Sequence, residues 1–388
     1  MHDIIFINAT IITFNQPVKI QSLAITGNKI SYLGTGKPKS VKTIDLKGKV
    51  IIPGLINCHT HAAMNAFRGL ADDLPLKEWL EKHIWPAEKA NLSAQFVKKW
   101  VKQACQEMAG GGITTFSDMY FYQKEASRVA SNFGLRMFAG EAIIDFKPNS
   151  RFTAEDMLKG PTKPLKYNII APHSTYTVNK TELIECKKLA KKFSLKMAIH
   201  TAESKNQKND IRYLHKLNLL DKNTILVHAI YLNQKDLELI AQNQTKIVHC
   251  PQSNMKLASG IAPISQMIKL GITVGLGTDS AASNNTLDLF REMKTAALLG
   301  KVSQLDSTVL PAEIVFKMAT INGAKILGIE KETGSIEVGK LADLAIIDFD
   351  QVHLKPVTDY FSHLVYCAQS SDVVATICNG KFIYDRIN

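Results

Sequence analysis

None of the 388 residues belongs to an apolar run approaching about 18, the length at which a helix can cross a bilayer. The opening MHDIIFINATIITF has neither the basic flank nor the small-residue cleavage site of a secretory signal. Together these absences read as a soluble, cytoplasmic chain with no membrane partner. Cysteine is sparse and scattered: Cys58, Cys105, Cys186, Cys250, Cys367 and Cys378 never fall in CxxC spacing, which argues against a zinc ribbon or a disulfide framework. They read as core thiols. No GxGxxG follows the first strand of the α/β region and no GxxxxGK[ST] occurs, so two common phosphate cradles are missing.

Acidic residues are the minority charge, and the chain carries a formal +12. Clustered, that excess would suit nucleic acid or an acidic substrate. The lysines are instead spread along the chain, largely on helical faces such as ECKKLAKKFSLK. The expected partner is a small molecule, not a nucleic acid.

What the sequence does contain is periodic. From residue 53 to 332, short apolar runs alternate with amphipathic stretches, the pattern of parallel strands joined by helical crossovers. The runs are IIPGLINCHTH, ITTFSDM, LRMFAGEA, YNIIAPHS, KMAIHTAE, TILVHAIY, TKIVHCPQS and TVGLGTDS. Such a count over this length predicts a (β/α)8 TIM barrel, with an open doubly wound sheet as the alternative. Residues 1–52 and 333–388 are both rich in β-type runs with Gly and Asn turns, and they are expected to pair into a small β-sandwich formed from both termini.

Several side chains capable of chemistry fall at the C-terminal ends of these runs, the face on which barrel active sites lie. They are His59 and His61 on the first, His173 on the fourth, His200 on the fifth, His228 on the sixth and Asp279 on the eighth. Alternate residues of a strand share a face, so His59 and His61 can converge while Thr60 points away. Any one of these histidines could be a satisfied polar group; five in phase with strand ends point to a metal. His59, His61, His200 and Asp279 supply the nitrogen and oxygen donors of a catalytic zinc site. A metal lowers the pKa of its water towards about 7. Glu203, three residues after His200 in HTAES, can donate and accept a proton beside that water, although a solvated carboxylate at a helix start is the plainer reading.

The motifs HTH, HTAE, VHA and GTDSAASNN resemble those of the amidohydrolase superfamily, in its mononuclear deaminase branch. Nearly the whole chain takes part in the resemblance. Dinuclear members place a bridging carboxylated lysine on the fourth strand, where this chain has His173, so the resemblance implies one divalent ion per subunit, most readily zinc. The stretch MNAFRGLADDLPLKEWLEKHIWPAEKANL, residues 64 to 92, is longer than a barrel needs and suits a substrate-holding loop. It closely resembles the corresponding loop of 5'-methylthioadenosine/S-adenosylhomocysteine deaminases. That likeness implies that Glu88 binds the ribose hydroxyls and Trp79 lies against the ligand, though plain core packing is an equal reading of Trp79. It also implies that Arg136 and Arg151 hold the amino-acid tail of the larger substrate. In the implied chemistry Glu203 protonates the ring nitrogen of adenine, His228 and Asp279 orient the attacking water and take up its proton, and His173 holds the purine edge. A homodimer or tetramer is usual for such relatives. Guanine deamination or triazine dechlorination on the same architecture are the competing activities, and a non-catalytic metal-binding scaffold is the competing class.

Overall fold

The computed structural model describes residues 1–145 and 167–387. Five strands come first: β1 (His2–Ile11), β2 (Lys19–Thr26), β3 (Lys29–Gly34), β4 (Ser40–Asp45) and β5 (Lys49–Pro53). The next eight are β6 (Leu55–Thr60), β7 (Ile113–Tyr120), β8 (Arg136–Ile143), β9 (Ile169–Pro172), β10 (Lys196–Thr201), β11 (Thr224–His228), β12 (Lys246–His249) and β13 (Val274–Leu276). Each coincides with one of the apolar runs read from the sequence, β7 and β8 extending one residue beyond theirs. They pair in parallel in chain order. Three strands close the chain: β14 (Leu344–Asp348), β15 (Val373–Cys378) and β16 (Lys381–Asp385).

Parallel strands are covered on both faces, which is why these runs are continuously apolar and not alternating. β6, β7, β9 and β11 are buried at every position. The helices supply the outer cover. Ala94–Gly110 starts where Ser93 accepts from the Phe96 amide, and it turns Val97, Val101, Ala104, Cys105 and Met108 inward at helical spacing. Closure of the barrel joins β6 to the end of β13. The Asp279 amide donates to the His59 carbonyl (3.0 Å), and Thr60 pairs with Asp279 in a parallel bridge. Gly277 permits this approach: a Cβ there would meet the Cβ and carbonyl oxygen of His59 at 2.9 Å. Closure therefore places the first-strand histidines beside the eighth-strand aspartate.

The chain ends form one mixed sheet in the order β16-β15-β14-β5-β1-β2-β3, with β4 alongside the first half of β1. On a flat sheet β1 and β16 would lie about 19 Å apart at roughly 4.8 Å per strand. The rings of Phe6 and Phe382 on those strands are 6.3 Å apart. The sheet thus curls over on itself, enclosing Phe6, Leu23, Ile25, Ile51, Ile346 and Ile377 between its layers. All six cysteines are free, and all but Cys367 are buried. Among the described residues no helix is long and apolar enough to cross a membrane.

Candidate active site

At the C-terminal face of the barrel, His59, His61, His200 and Asp279 bring one ligand atom each within 4.8 Å of the others. His59 Nε2 lies 3.1 Å from His200 Nε2 and 3.4 Å from Asp279 Oδ1. His61 Nε2 lies 3.2 Å from the same oxygen. Donors about 2.0–2.1 Å from a tetrahedral ion are separated by about 3.3–3.4 Å, so this spacing fits a small divalent cation.

The outer hydrogen bonds fit one too. His200 Nδ1 donates to the His173 carbonyl at 2.7 Å, and His61 Nδ1 donates to the Met119 carbonyl. A carbonyl only accepts, so the protons of these rings sit on Nδ1 and the Nε2 lone pairs face the centre. Asp279 turns Oδ2 outward to accept from Ser253 (2.5 Å) and Ser283 (2.9 Å), which leaves Oδ1 facing the histidines. Burial lowers the His59 pKa to about 4 and holds His200 well below its ordinary value, aided by the neighbouring histidines, so both rings are neutral. Burial also opposes charge on His61, but Asp279 and Asp118 outweigh it and raise its pKa. Asp279 would be raised by burial, yet its close contacts with His59 and His61 hold it well below the carboxylate range.

Glu203 follows β10 with its Oε1 3.9 Å from His228 Nε2. Burial pushes its carboxyl pKa up and Asp279 adds to that, while His228 pulls it down. A raised carboxyl can hold a proton to give away. Strain concentrates here: His228, Ala229, Ala202 and Asp279 all have left-handed backbones, at φ of 69°, 49°, 50° and 58°. His173 ends up beside His200, with ring centroids 4.9 Å apart, and its Nδ1 is 2.8 Å from Thr177 Oγ1.

The long segment after β6 is a helix in three pieces, Leu76–Glu78, a π-turn over Trp79–Ile84, and Trp85–Asn91. Pro86 lacks the amide hydrogen of a regular helix, and the wider turn just before it accommodates the ring. Glu88 is buried and accepts from the Tyr120 hydroxyl at 2.7 Å. The Tyr120 ring is 6.3 Å from His61, which ties Glu88 to the donor set. A latch fastens the segment. Lys256 Nζ contacts Asp72 (2.6 Å) and Asn285 (3.0 Å), and Asn285 donates back to Asp72 (2.9 Å). Trp79 is buried in the main core with its Nε1 donating to the Leu70 carbonyl, the packing alternative of the sequence reading.

Arg136 requires a correction. It is the first residue of β8, so it lies at the N-terminal face, with the length of the strand between it and the site. There it is buried in an ion pair with Asp343 and donates to Thr115 Oγ1. It is not placed to meet a substrate tail. Arg151 lies outside the described residues. Sequence reasoning missed Tyr120, Ser253, Asn254 and Ser283; their one available signal was position just after a barrel strand or at its end.

The Amidohydrolase family model matches residues 50–383. A 5-methylthioadenosine/S-adenosylhomocysteine deaminase 1 of Syntrophus aciditrophicus is 41% identical over 93% of this chain and 87% of its own length. A 5'-deoxyadenosine deaminase of Methanosarcina acetivorans is also 41% identical, over 100% of this chain and 94% of its own. Among solved structures, an adenosine deaminase from Xanthomonas campestris with bound zinc superimposes with a TM-score of 0.95 at 32% identity, covering 100% of this chain and 94% of that one. With the barrel, the three-histidine, one-aspartate centre and these similarities together, the chain belongs to the amidohydrolase family.

Proposed function

We propose that the protein hydrolyses the exocyclic amine of adenine nucleosides (5'-methylthioadenosine, S-adenosylhomocysteine, adenosine or 5'-deoxyadenosine), giving the inosine analogue and ammonia. The observation that carries this reading is the half-buried Glu203 carboxyl beside the donor set, with a buried carboxyl, Glu88, reached through Tyr120. The relatives named for nucleoside deamination supply the substrate class.

His59, His61, His200 and Asp279 would hold a single zinc ion, since β9 ends near His173 and offers no lysine to bridge a second. When bound, such an ion lowers the pKa of a water and supplies the nucleophile at neutral pH. The chain's own groups do the rest. Glu203 gives a proton to the ring nitrogen next to the amine-bearing carbon, which makes that carbon electrophilic. His228 and Asp279 orient the water and accept its proton as its oxygen bonds to the carbon. The carbon–nitrogen bond then breaks: the amine takes the proton held by His228 or Asp279 and leaves as ammonia, the remaining hydroxyl proton returns to Glu203, and a carbonyl remains. His173 holds the purine edge, and Glu88 accepts from the ribose hydroxyls. The curled sheet, from residues 1–52 and 333–388, acts as a scaffold for the 53–332 barrel, and the protein works as a homo-oligomer.

Metal analysis together with ammonia release from a panel of adenine nucleosides tests this. Turnover of guanine or a chlorotriazine in preference to any nucleoside would replace the reading with one of the competing activities. Bound metal without turnover of any of them would favour the scaffold.

A further inference from the structure

Ser253 and Asn254 are consecutive and buried, and they grip two different groups of the site. Ser253 Oγ donates to Asp279 Oδ2 at 2.5 Å, and Asn254 Oδ1 lies 2.8 Å from His228 Nδ1. Both belong to the short helix Pro251–Lys256 that directly follows β12. That helix is pinned: the Gln252 amide donates to Glu292, whose other oxygen accepts from Asn284 Nδ2, and the Asn254 backbone is bonded on both sides, to Cys250 and Ser259. The Asn254 side chain is therefore presented to His228 from a fixed base.

We propose that Asn254 is a positioning residue for the reaction: its Oδ1 accepts the Nδ1 proton of His228, so that Nε2, the nitrogen facing Glu203, carries the lone pair. The inference rests on the deaminase reading of the site. A neutral imidazole has one N–H, and the nitrogen that donates fixes the other as acceptor. An amide oxygen can only accept, so the 2.8 Å contact puts the hydrogen on Nδ1. The opposite tautomer would present an N–H towards Glu203 and could not take up a proton on that side. An amide achieves this without adding negative charge to a pocket that already holds Asp279 and Glu203. Packing does not account for the residue. Asn254 Nδ2 is buried with no hydrogen-bond partner among the described residues, whereas a leucine of similar shape would leave no donor unpaired.

The test uses full-length, zinc-loaded protein labelled with 15N-histidine. Two-bond 1H–15N spectra report which ring nitrogen carries the proton, and the signals lost in His228→Ala identify the ring. The expected result is an Nδ1-protonated ring in the wild type and in Asn254→Asp, which keeps an acceptor, but a mixed or Nε2-protonated ring in Asn254→Leu. Alongside this, Asn254→Leu should lower kcat by about tenfold to a hundredfold, a part of the roughly 10² to 10⁴ that general acid–base transfer contributes, with KM little changed. Asn254→Asp should recover most of the loss, and Asn254→Leu should add nothing in the His228→Ala background. An Nε2-protonated ring in the wild type, an unchanged ring in Asn254→Leu, or a full additional loss beside His228→Ala would overturn the proposal. Should Asn254→Leu fail to fold, the wild-type spectrum decides. Because the spectrum needs no turnover, a wild-type protein that released no ammonia would overturn the deaminase reading separately.

Discussion

Arg136 and Asp343 form a buried ion pair at the N-terminal face of the barrel, the end opposite the metal donors. Removing one partner strands the other charge in the interior, which typically costs about 3–5 kcal/mol. Arg136→Ala should therefore lower unfolding stability by roughly that amount in a denaturant titration. The ratio of kcat/KM for adenosylhomocysteine to that for methylthioadenosine should stay within about twofold, because a tail contact worth 1.5–3 kcal/mol is not being lost. A tenfold change in that ratio would put Arg136 back on the substrate side.

Under the proposed function the donor set takes one ion. Titrating zinc into chelator-treated protein should saturate near one equivalent per chain and raise the melting temperature as it does so, since an ion that binds only the folded state stabilises it. Saturation near two equivalents would defeat the mononuclear assignment.

Much of this site was legible because chemistry and element boundary coincide. His59, His61, His200 and Asp279 are polar residues at the ends of apolar runs, and in a parallel barrel all such ends open onto one face. Arg136 obeys the same rule in reverse. It stands at the start of the run LRMFAGEA, so its place in the strand puts it at the far face, against the tail-binding role that the resemblance implies. Other features had no periodic signal. Ser253 and Asn254 lie on a short helix and Tyr120 ends β7, and their hydrogen bonds depend on tertiary placement; likewise β5 lies between β1 and β14 because of pairing with β14, some 300 positions away in sequence.

Glu203→Gln keeps the shape of the side chain but removes its proton. Metal content should be unchanged while kcat falls by about 10² or more, since general acid–base transfer commonly contributes 10² to 10⁴. A variant deaminating at near the wild-type rate would require another proton shuttle.

Asp72 has a lowered pKa because Lys256 and Asn285 bond its carboxylate. A carboxyl depressed in the folded state contributes stability above its unfolded pKa near 4, and loses it as pH falls through the folded value. The latch should therefore hold at neutral pH and open in acid. Hydrogen exchange in residues 69–73 should accelerate below about pH 4 ahead of global unfolding. Asp72→Asn should show that faster exchange already at pH 7, with a raised KM and a smaller change in kcat. Wild-type exchange that stayed constant down to the global transition would mean that the latch carries no such coupling.

Glu88 is buried and bonded to Tyr120, and under the proposed function it accepts from the ribose hydroxyls. Glu88→Ala should weaken catalysis on a nucleoside far more than on free adenine. A hydrogen bond to a charged acceptor contributes about 1.5–3 kcal/mol, so the nucleoside kcat/KM should drop on the order of tenfold to a hundredfold. Replacing the substrate's 2'-hydroxyl by hydrogen should reproduce part of that loss in the wild-type enzyme, because both changes delete the same bond. Combined, the two losses should be less than additive. Tyr120→Phe supplies the control, since it removes the hydroxyl that holds Glu88 while leaving the carboxylate present, and it should give an intermediate loss. Full additivity of Glu88→Ala with the 2'-deoxy substrate would show that the carboxylate and that hydroxyl do not meet, and would reopen the choice between a nucleoside and a bare base.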